Sequence, residues 1–331
     1  MITLLLLLFL LFVSLLICGP LAFFWKGRRS SVLRWSVASY LVVSALALFA
    51  FGPYWLARLI THAGTRPSDL RSSERPSDYG LAYEEVDFQT GDGLTLRAWF
   101  IPPGERTAVV IATHGLFRNR VELLPRAAPL CRAGYGALLF DSRSHGTSDR
   151  GMVTLGYHER QDVLGAVRFI ERRYSATSAP PVVLMGVSMG AVAVLEAAAQ
   201  SRGYAALILD SPFSGLRQTV ADHTRLLMGL PRFPFATLFL HWFERLTGVD
   251  PGQVDSSAAL REAQPVPLLI IASEGDERIP DDVARKLYTE SRAGLKVIRV
   301  FGRDVPHGAA ARIHPQEYAD TVLSFLHEAL R

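Results

Sequence analysis

Cysteine is nearly missing from this chain of 331 residues, which has two. Cys18 lies in an uncharged apolar run and Cys131 in an expected helix, so no disulfide between them is expected. Neither has metal-ligand spacing, so no metal or other cofactor is expected. Internal repeats are absent as well. The net charge of +4 is small and sits near the N-terminal apolar runs. Without a basic stripe interleaved with aromatics, nucleic acid is set aside as a partner.

Charge is lacking altogether from residues 2–25 and again from 36–56. Each stretch reaches the ~20 residues that cross hydrocarbon as a helix. The expected organisation is a two-helix membrane anchor over 1–60, a linker over 61–80 rich in Arg, Ser and Pro, and a globular domain over 81–331. The alternative is a signal peptide followed by one anchor. Against it, the first stretch lacks a basic leader and exceeds the roughly 7–15 apolar residues of a signal core. Lys26, Arg28, Arg29 and Arg34 stand between the two stretches with no acid among them. They favour a cytoplasmic loop and an extracytoplasmic globular domain. Arg58, Arg66, Arg71 and Arg75 pull the other way. Membrane lipid is the expected partner of the basic residues.

Beyond residue 80, apolar runs alternate with helical segments. Strands are expected at 82–89, 94–101, 108–113, 136–140, 181–187, 205–209, 267–272 and 296–301. Helices are expected at 120–133, 157–174, 189–202, 281–292 and 315–330. The runs from the third onward are short and continuously apolar, as in strands covered on both faces. The alternation points to an α/β fold with a mostly parallel sheet. One connection is long: residues at about 213–262 suffice for a helical cap rich in aromatics, including Phe233, Phe235, Phe239, Trp242 and Phe243. Those aromatics either line an apolar substrate pocket or simply pack.

Chemistry enters at Gly186-Val187-Ser188-Met189-Gly190, between an apolar strand and a helix-forming run. A strand–Gly-x-Ser-x-Gly–helix turn pushes the serine hydroxyl out of the sheet. Gly186 and Gly190 are expected where the tight turn has no room for a Cβ. The amides at the start of the following helix are then free to hold a developing negative charge. A serine hydroxyl needs a base and a group to orient that base. In a parallel sheet these are sought on loops at the carboxyl ends of strands. His307 and Asp276 meet that condition, in the chain order Ser188, Asp276, His307. His314 competes for the base, and Glu274 and Asp210 for the acid. The oxyanion donors are assigned to the amides of Met189 and Leu116, with His114 as a loop-shaping residue.

These residues carry a family resemblance. His114-Gly115, Asn119-Arg120, Asp141 to Ser148, Gly156 with Glu159 and Asp162, the serine turn, Asp276 to Pro280, and His307-Gly308 together resemble the α/β-hydrolase superfamily, near its serine aminopeptidase-like and Bem46-like branches. The resemblance spans about residues 83–330. It implies an eight-stranded sheet with an antiparallel second strand, and a cap after the sixth. Ser144 stands where the family pattern often has glycine, which bears on loop rigidity. The expected activity is that of a membrane-anchored serine hydrolase acting on an ester, thioester or lipid-like acyl compound. A peptidase acting on amides, and a non-catalytic membrane-bound binding protein, are the competing expectations.

Overall fold

Thr90-Gly91-Asp92-Gly93 reverses the chain between the first two strands. Gly93 takes φ +87°, and Thr90 and Leu94 close the turn through a 2.9 Å backbone bond. The hairpin opens a sheet seen in a computed structural model that describes residues 29–46, 49, 51–174, 179–226 and 228–331. Its strands are β1 (Glu84–Gln89), β2 (Thr95–Ile101), β3 (Val109–Thr113), β4 (Gly136–Phe140), β5 (Val182–Val187), β6 (Ala206–Asp210), β7 (Leu268–Ser273) and β8 (Lys296–Phe301). Their order is β1-β2-β4-β3-β5-β6-β7-β8, with β2 antiparallel to both neighbours and every later pair parallel. The eight strands, the antiparallel second strand and the parallel remainder agree with expectation.

The helices are α1 (Arg29–Leu46), α2 (Gly52–Thr61), α3 (Leu124–Arg132), α4 (Glu159–Arg173), α5 (Met189–Gln200), α6 (Leu216–Leu226), α7 (Arg232–Thr247), α8 (Ser256–Glu262), α9 (Asp281–Glu290) and α10 (Pro315–Ala329). Strand alternation divides the core in two. Leu138 and Leu184 face Ile170, Val194 and Leu287 from α4, α5 and α9. Leu139 and Met185 face Leu124, Val322 and Phe325 from α3 and α10. Each fully buried Leu or Phe in these layers contributes roughly 1.5–3 kcal/mol of transfer free energy. The strands hold because both faces are covered; the same residues on an open sheet would lie in water.

The cap holds α6, α7 and α8. Its two ends are joined where Ser256 Oγ donates to the Phe213 carbonyl at 2.6 Å and Leu216 N to the Val254 carbonyl at 3.0 Å. Phe239 and Phe243 are buried with Phe213, Leu216 and Val254, so these aromatics pack within the cap. Leu226, Met228 and Phe233 remain exposed.

The N-terminal expectation meets the described residues only in part. Residues 2–25 lie outside the described residues. Of residues 36–56, the described ones include the end of α1 at Leu46 and the start of α2 at Gly52-Pro53, a position that suits proline; 47, 48 and 50 lie outside the described residues. Among the described residues no helix is long and apolar enough to cross a membrane. The apolar side of α2 finds a protein partner instead. Ala57 is fully buried in the cap core, and Tyr54 meets Trp242 edge-on at 5.1 Å. The expected linker over 61–80 is closely held. It forms two single turns, Pro67–Leu70 and Pro76–Tyr79, and buries Thr61, Ala63 and Asp69.

Candidate active site

Ser188 follows β5 and precedes α5 with φ +55° and ψ −116°. A non-glycine residue held there stores roughly 1–3 kcal/mol of backbone strain, sustained by its surroundings. A Cβ on Gly186 would lie 2.2 Å from the Gly190 carbonyl oxygen, and one on Gly190 would lie 2.5 Å from the Thr113 carbonyl oxygen. Both glycines are therefore steric requirements of the turn. The Ser188 amide donates to the Asp210 carbonyl at 2.8 Å, which aligns the turn with β6.

The structure brings the three separated side chains together. Ser188 Oγ donates to His307 Nε2 at 2.8 Å, and His307 Nδ1 donates to Asp276 Oδ2 at 2.6 Å. Asp276 is buried on the loop after β7. Its Oδ1 accepts the amides of Arg278 at 2.9 Å and Ile279 at 2.8 Å, so the carboxylate cannot rotate freely. His307 follows β8. Gly308 at φ +62° lets the loop pass within van der Waals reach of Val187.

The competitors are engaged elsewhere. His314 Nε2 pairs with Asp304 at 2.7 Å on the surface, and Glu274 faces Arg303 at 3.5 Å. Asp210 is buried and accepts from Arg126 Nε at 3.0 Å and the Tyr318 hydroxyl at 3.1 Å. Arg126 in turn donates to the Gly308 carbonyl at 2.6 Å. Asp210 thus joins the serine turn to the histidine loop through a buried ion pair. Nothing local in the sequence around Arg126 signals that role.

The loop after β3 approaches the serine closely: a Cβ on Gly115 would lie 3.5 Å from Ser188 Cβ. Gly115 N donates to Glu122 Oε2 at 2.8 Å, Phe117 N to His145 Nε2 at 3.2 Å, and Arg118 N to the Gly115 carbonyl at 3.2 Å. Neither the Leu116 nor the Met189 amide donates to a protein acceptor among the described residues. Met189 directly follows Ser188, and Leu116 follows Gly115, which approaches that serine.

His114 and His145 shape this loop. His114 Nδ1 donates to the Gly115 carbonyl and Nε2 accepts from Ser142 N; His145 Nδ1 donates to the Arg143 carbonyl. The rings meet at 5.1 Å. Burial pushes each down to about 4, so both are neutral above that pH. An unfolded imidazole titrates near 6.5, so stability from each neutral ring is complete above that pH and is lost as pH falls toward 4. The loss is on the order of 3 kcal/mol for each ring. The unfolding free energy of the parent minus that of His145→Gln should therefore shrink by about this amount between pH 7 and pH 4, read by urea denaturation. A pH-independent difference would contradict it.

Ser144, where glycine was the family pattern, sits at φ +65°. Its hydroxyl donates to the Gly151 carbonyl at 2.6 Å, a bond glycine would lack. Among the described residues there is no cluster of His, Cys, Asp or Glu that could hold a metal ion.

Comparison with known proteins follows the same lines. Residues 104–255 match the serine aminopeptidase, S33 family. An uncharacterised Bacillus subtilis protein, YqkD, is 26% identical over 263 residues, covering 77% of this chain and 85% of its own length. A polyketide transferase of Stachybotrys chlorohalonatus is 36% identical over 136 residues, covering 40% of this chain and 45% of its own. An esterase of Pyrococcus furiosus superposes with a TM-score of 0.66 at 23% identity, over 80% of this chain and 98% of its own.

Proposed function

We propose that this protein, a serine hydrolase with the α/β-hydrolase fold, cleaves an ester, thioester or lipid-like acyl substrate through an acyl-enzyme on Ser188. The observation that carries the proposal is one imidazole within hydrogen-bond reach of both Ser188 Oγ, at 2.8 Å, and Asp276 Oδ2, at 2.6 Å. As Ser188 Oγ bonds to the substrate carbonyl carbon, His307 Nε2 takes its proton. Asp276 keeps the second ring proton on Nδ1 and stabilises the imidazolium. The carbonyl oxygen becomes an oxyanion held by the Leu116 and Met189 amides, at the positive end of the α5 dipole. Collapse breaks the bond to the leaving group, which departs with the proton from His307. Water then attacks the acyl-enzyme, His307 takes its proton, and Ser188 leaves with that proton as the acid product is freed. The cycle is complete without a cofactor.

The apolar preference is supported by the cap. His223 of α6 donates from Nε2 to the Arg278 carbonyl at 3.0 Å, which ties the cap to the Asp276 loop. Leu226 and Met228, just beyond, are exposed at 54% and 43%. A second reading, amide cleavage, is favoured by the match of residues 104–255 to the serine aminopeptidase, S33 family. The polyketide transferase relative adds a variant in which an acceptor other than water takes the acyl group. Turnover of p-nitrophenyl esters of graded chain length against aminoacyl anilides, with Ser188→Ala as blank, decides among these. Rates rising with acyl length support the proposal, and a preference for anilides overturns it.

In this reading the uncharged run of residues 2–25 attaches the enzyme to a membrane; crossing alone, it is followed by Lys26, Arg28, Arg29 and Arg34, which favour the cytoplasmic side for the hydrolase domain, whereas the extracytoplasmic side requires a second crossing over 36–56. A reporter fused after Arg331 tests the side. Recovery of the whole enzyme in the supernatant of lysed cells would oppose attachment.

A further inference from the structure

We propose that residues 61–69, which precede the hydrolase domain, are a positioning element of the oxyanion hole, with Thr65 as its central residue. This rests on the reading of the Leu116 and Met189 amides as oxyanion donors.

The Leu116 amide is aimed by its neighbours. Within the domain, Glu122 holds the Gly115 amide and His145 the Phe117 amide. The carbonyls of Phe117 and Arg118 are met from outside it. Arg66 N donates to the Phe117 carbonyl at 2.9 Å, and Thr65 Oγ1 donates to the Arg118 carbonyl at 2.9 Å. The same Thr65 oxygen accepts the Gly146 amide at 2.7 Å. One hydroxyl thus ties the oxyanion loop to the loop after β4, where Gly146 stands at φ +55°. Phe117 is itself at φ +63°, a conformation that persists only when its surroundings hold it.

Two further contacts act on the same loop. Asp69 lies 2.7 Å from Arg118 Nε, which also faces Glu122 at 3.2 Å, the residue that holds Gly115. Asn119 Nδ2 donates to the Asp69 carbonyl at 3.2 Å. Ala63 is buried with Val153 and Met189, against Leu116 and Phe117. The segment therefore packs on both residues whose amides face the oxyanion, while touching none of the reacting side chains by hydrogen bond.

Loss of the Thr65 hydroxyl leaves the Arg118 carbonyl and the Gly146 amide without their partner. The loop relaxes and the Leu116 N–H swings off the line to the oxyanion. An interaction made only in the transition state is weakened, so kcat falls and KM stays. Deleting a donor costs roughly 100- to 1,000-fold, and misaiming one costs less, so Thr65→Val should lower kcat about tenfold with KM within about twofold.

The test is ester turnover by the full chain carrying Thr65→Val, Thr65→Ser or Asp69→Asn, each compared with the parent for thermal midpoint. A trifluoromethyl ketone, which forms an oxyanionic adduct on serine, supplies the second readout. Its inhibition constant should rise in Thr65→Val by the factor that kcat/KM falls, and Thr65→Ser should restore both. Asp69→Asn should shift both in the same direction, which keeps the proposal open to refutation if Thr65→Val does not fold. Parent-like kcat in folded Thr65→Val overturns the proposal, as does a loss confined to KM. Absence of Ser188-dependent turnover in the parent would instead remove the catalytic reading itself.

Discussion

Ser188→Ala is expected to lower kcat roughly a million-fold while the protein stays folded, because the hydroxyl is the reacting atom. His307→Ala should fall to the same floor. The double variant should be no slower than either single one, since a nucleophile without its base and a base without its nucleophile are equally idle. The residual rate comes from substrate binding and from the Leu116 and Met189 amides, which neither substitution removes. Fluorophosphonate labelling reads the same event directly: the parent labels, and both single variants do not. Multiplying losses in the double variant, or labelling of Ser188→Ala equal to the parent, would mean the 2.8 Å contact between Ser188 and His307 is not used in the chemistry.

Asp276→Asn is expected to lower kcat by about 10,000-fold with little change in KM. The size follows from how Asp276 is held. Its Oδ1 accepts two backbone amides, from Arg278 and Ile279. An asparagine must give its carbonyl oxygen to those donors, which turns its NH2 toward His307 Nδ1. That nitrogen then has to accept, so the ring proton moves to Nε2 and points at Ser188. The imidazole can no longer take the serine proton. Asp276→Ala, which removes the clash of donors, should lose less than Asp276→Asn. The two variants, compared for kcat at pH 8, separate tautomer control from simple loss of charge. Equal rates would assign Asp276 a purely electrostatic role.

The hydrolase domain was legible because its signals are local. Continuous apolar runs mark β3 to β7, and each begins within one residue of the expected start. The serine turn, the loop carrying Asp276 and the loop carrying His307 each announce themselves within about ten residues. The cap was legible as a length of chain, but the fate of Phe239 and Phe243 was not. Apolar side chains satisfy a pocket and a packed interior equally well in composition.

The N-terminal part was the least legible, for the same reason. An uncharged stretch over 36–56 is compatible with hydrocarbon and with a protein surface alike. The burial of Ala57 with Phe239 and Phe243 decides for protein over the α2 portion. Residues 61–80 looked like a tether because Arg, Ser and Pro are usual in one. Their partners, Arg118 and Gly146 for Thr65, lie 53 and 81 residues away.

By itself the chain's order of residues determined the sheet, the strained serine turn and the chemical types that surround it. Each of these is set by short-range sterics and by the burial pattern of neighbouring residues. Only the tertiary structure decided which imidazole meets Ser188 and which carboxylate meets that imidazole, which buried acid braces the frame, and that Thr65 reaches the oxyanion loop. Those choices depend on distances between segments far apart along the backbone. Such distances are set by how the layers pack, and no local run of residues encodes them.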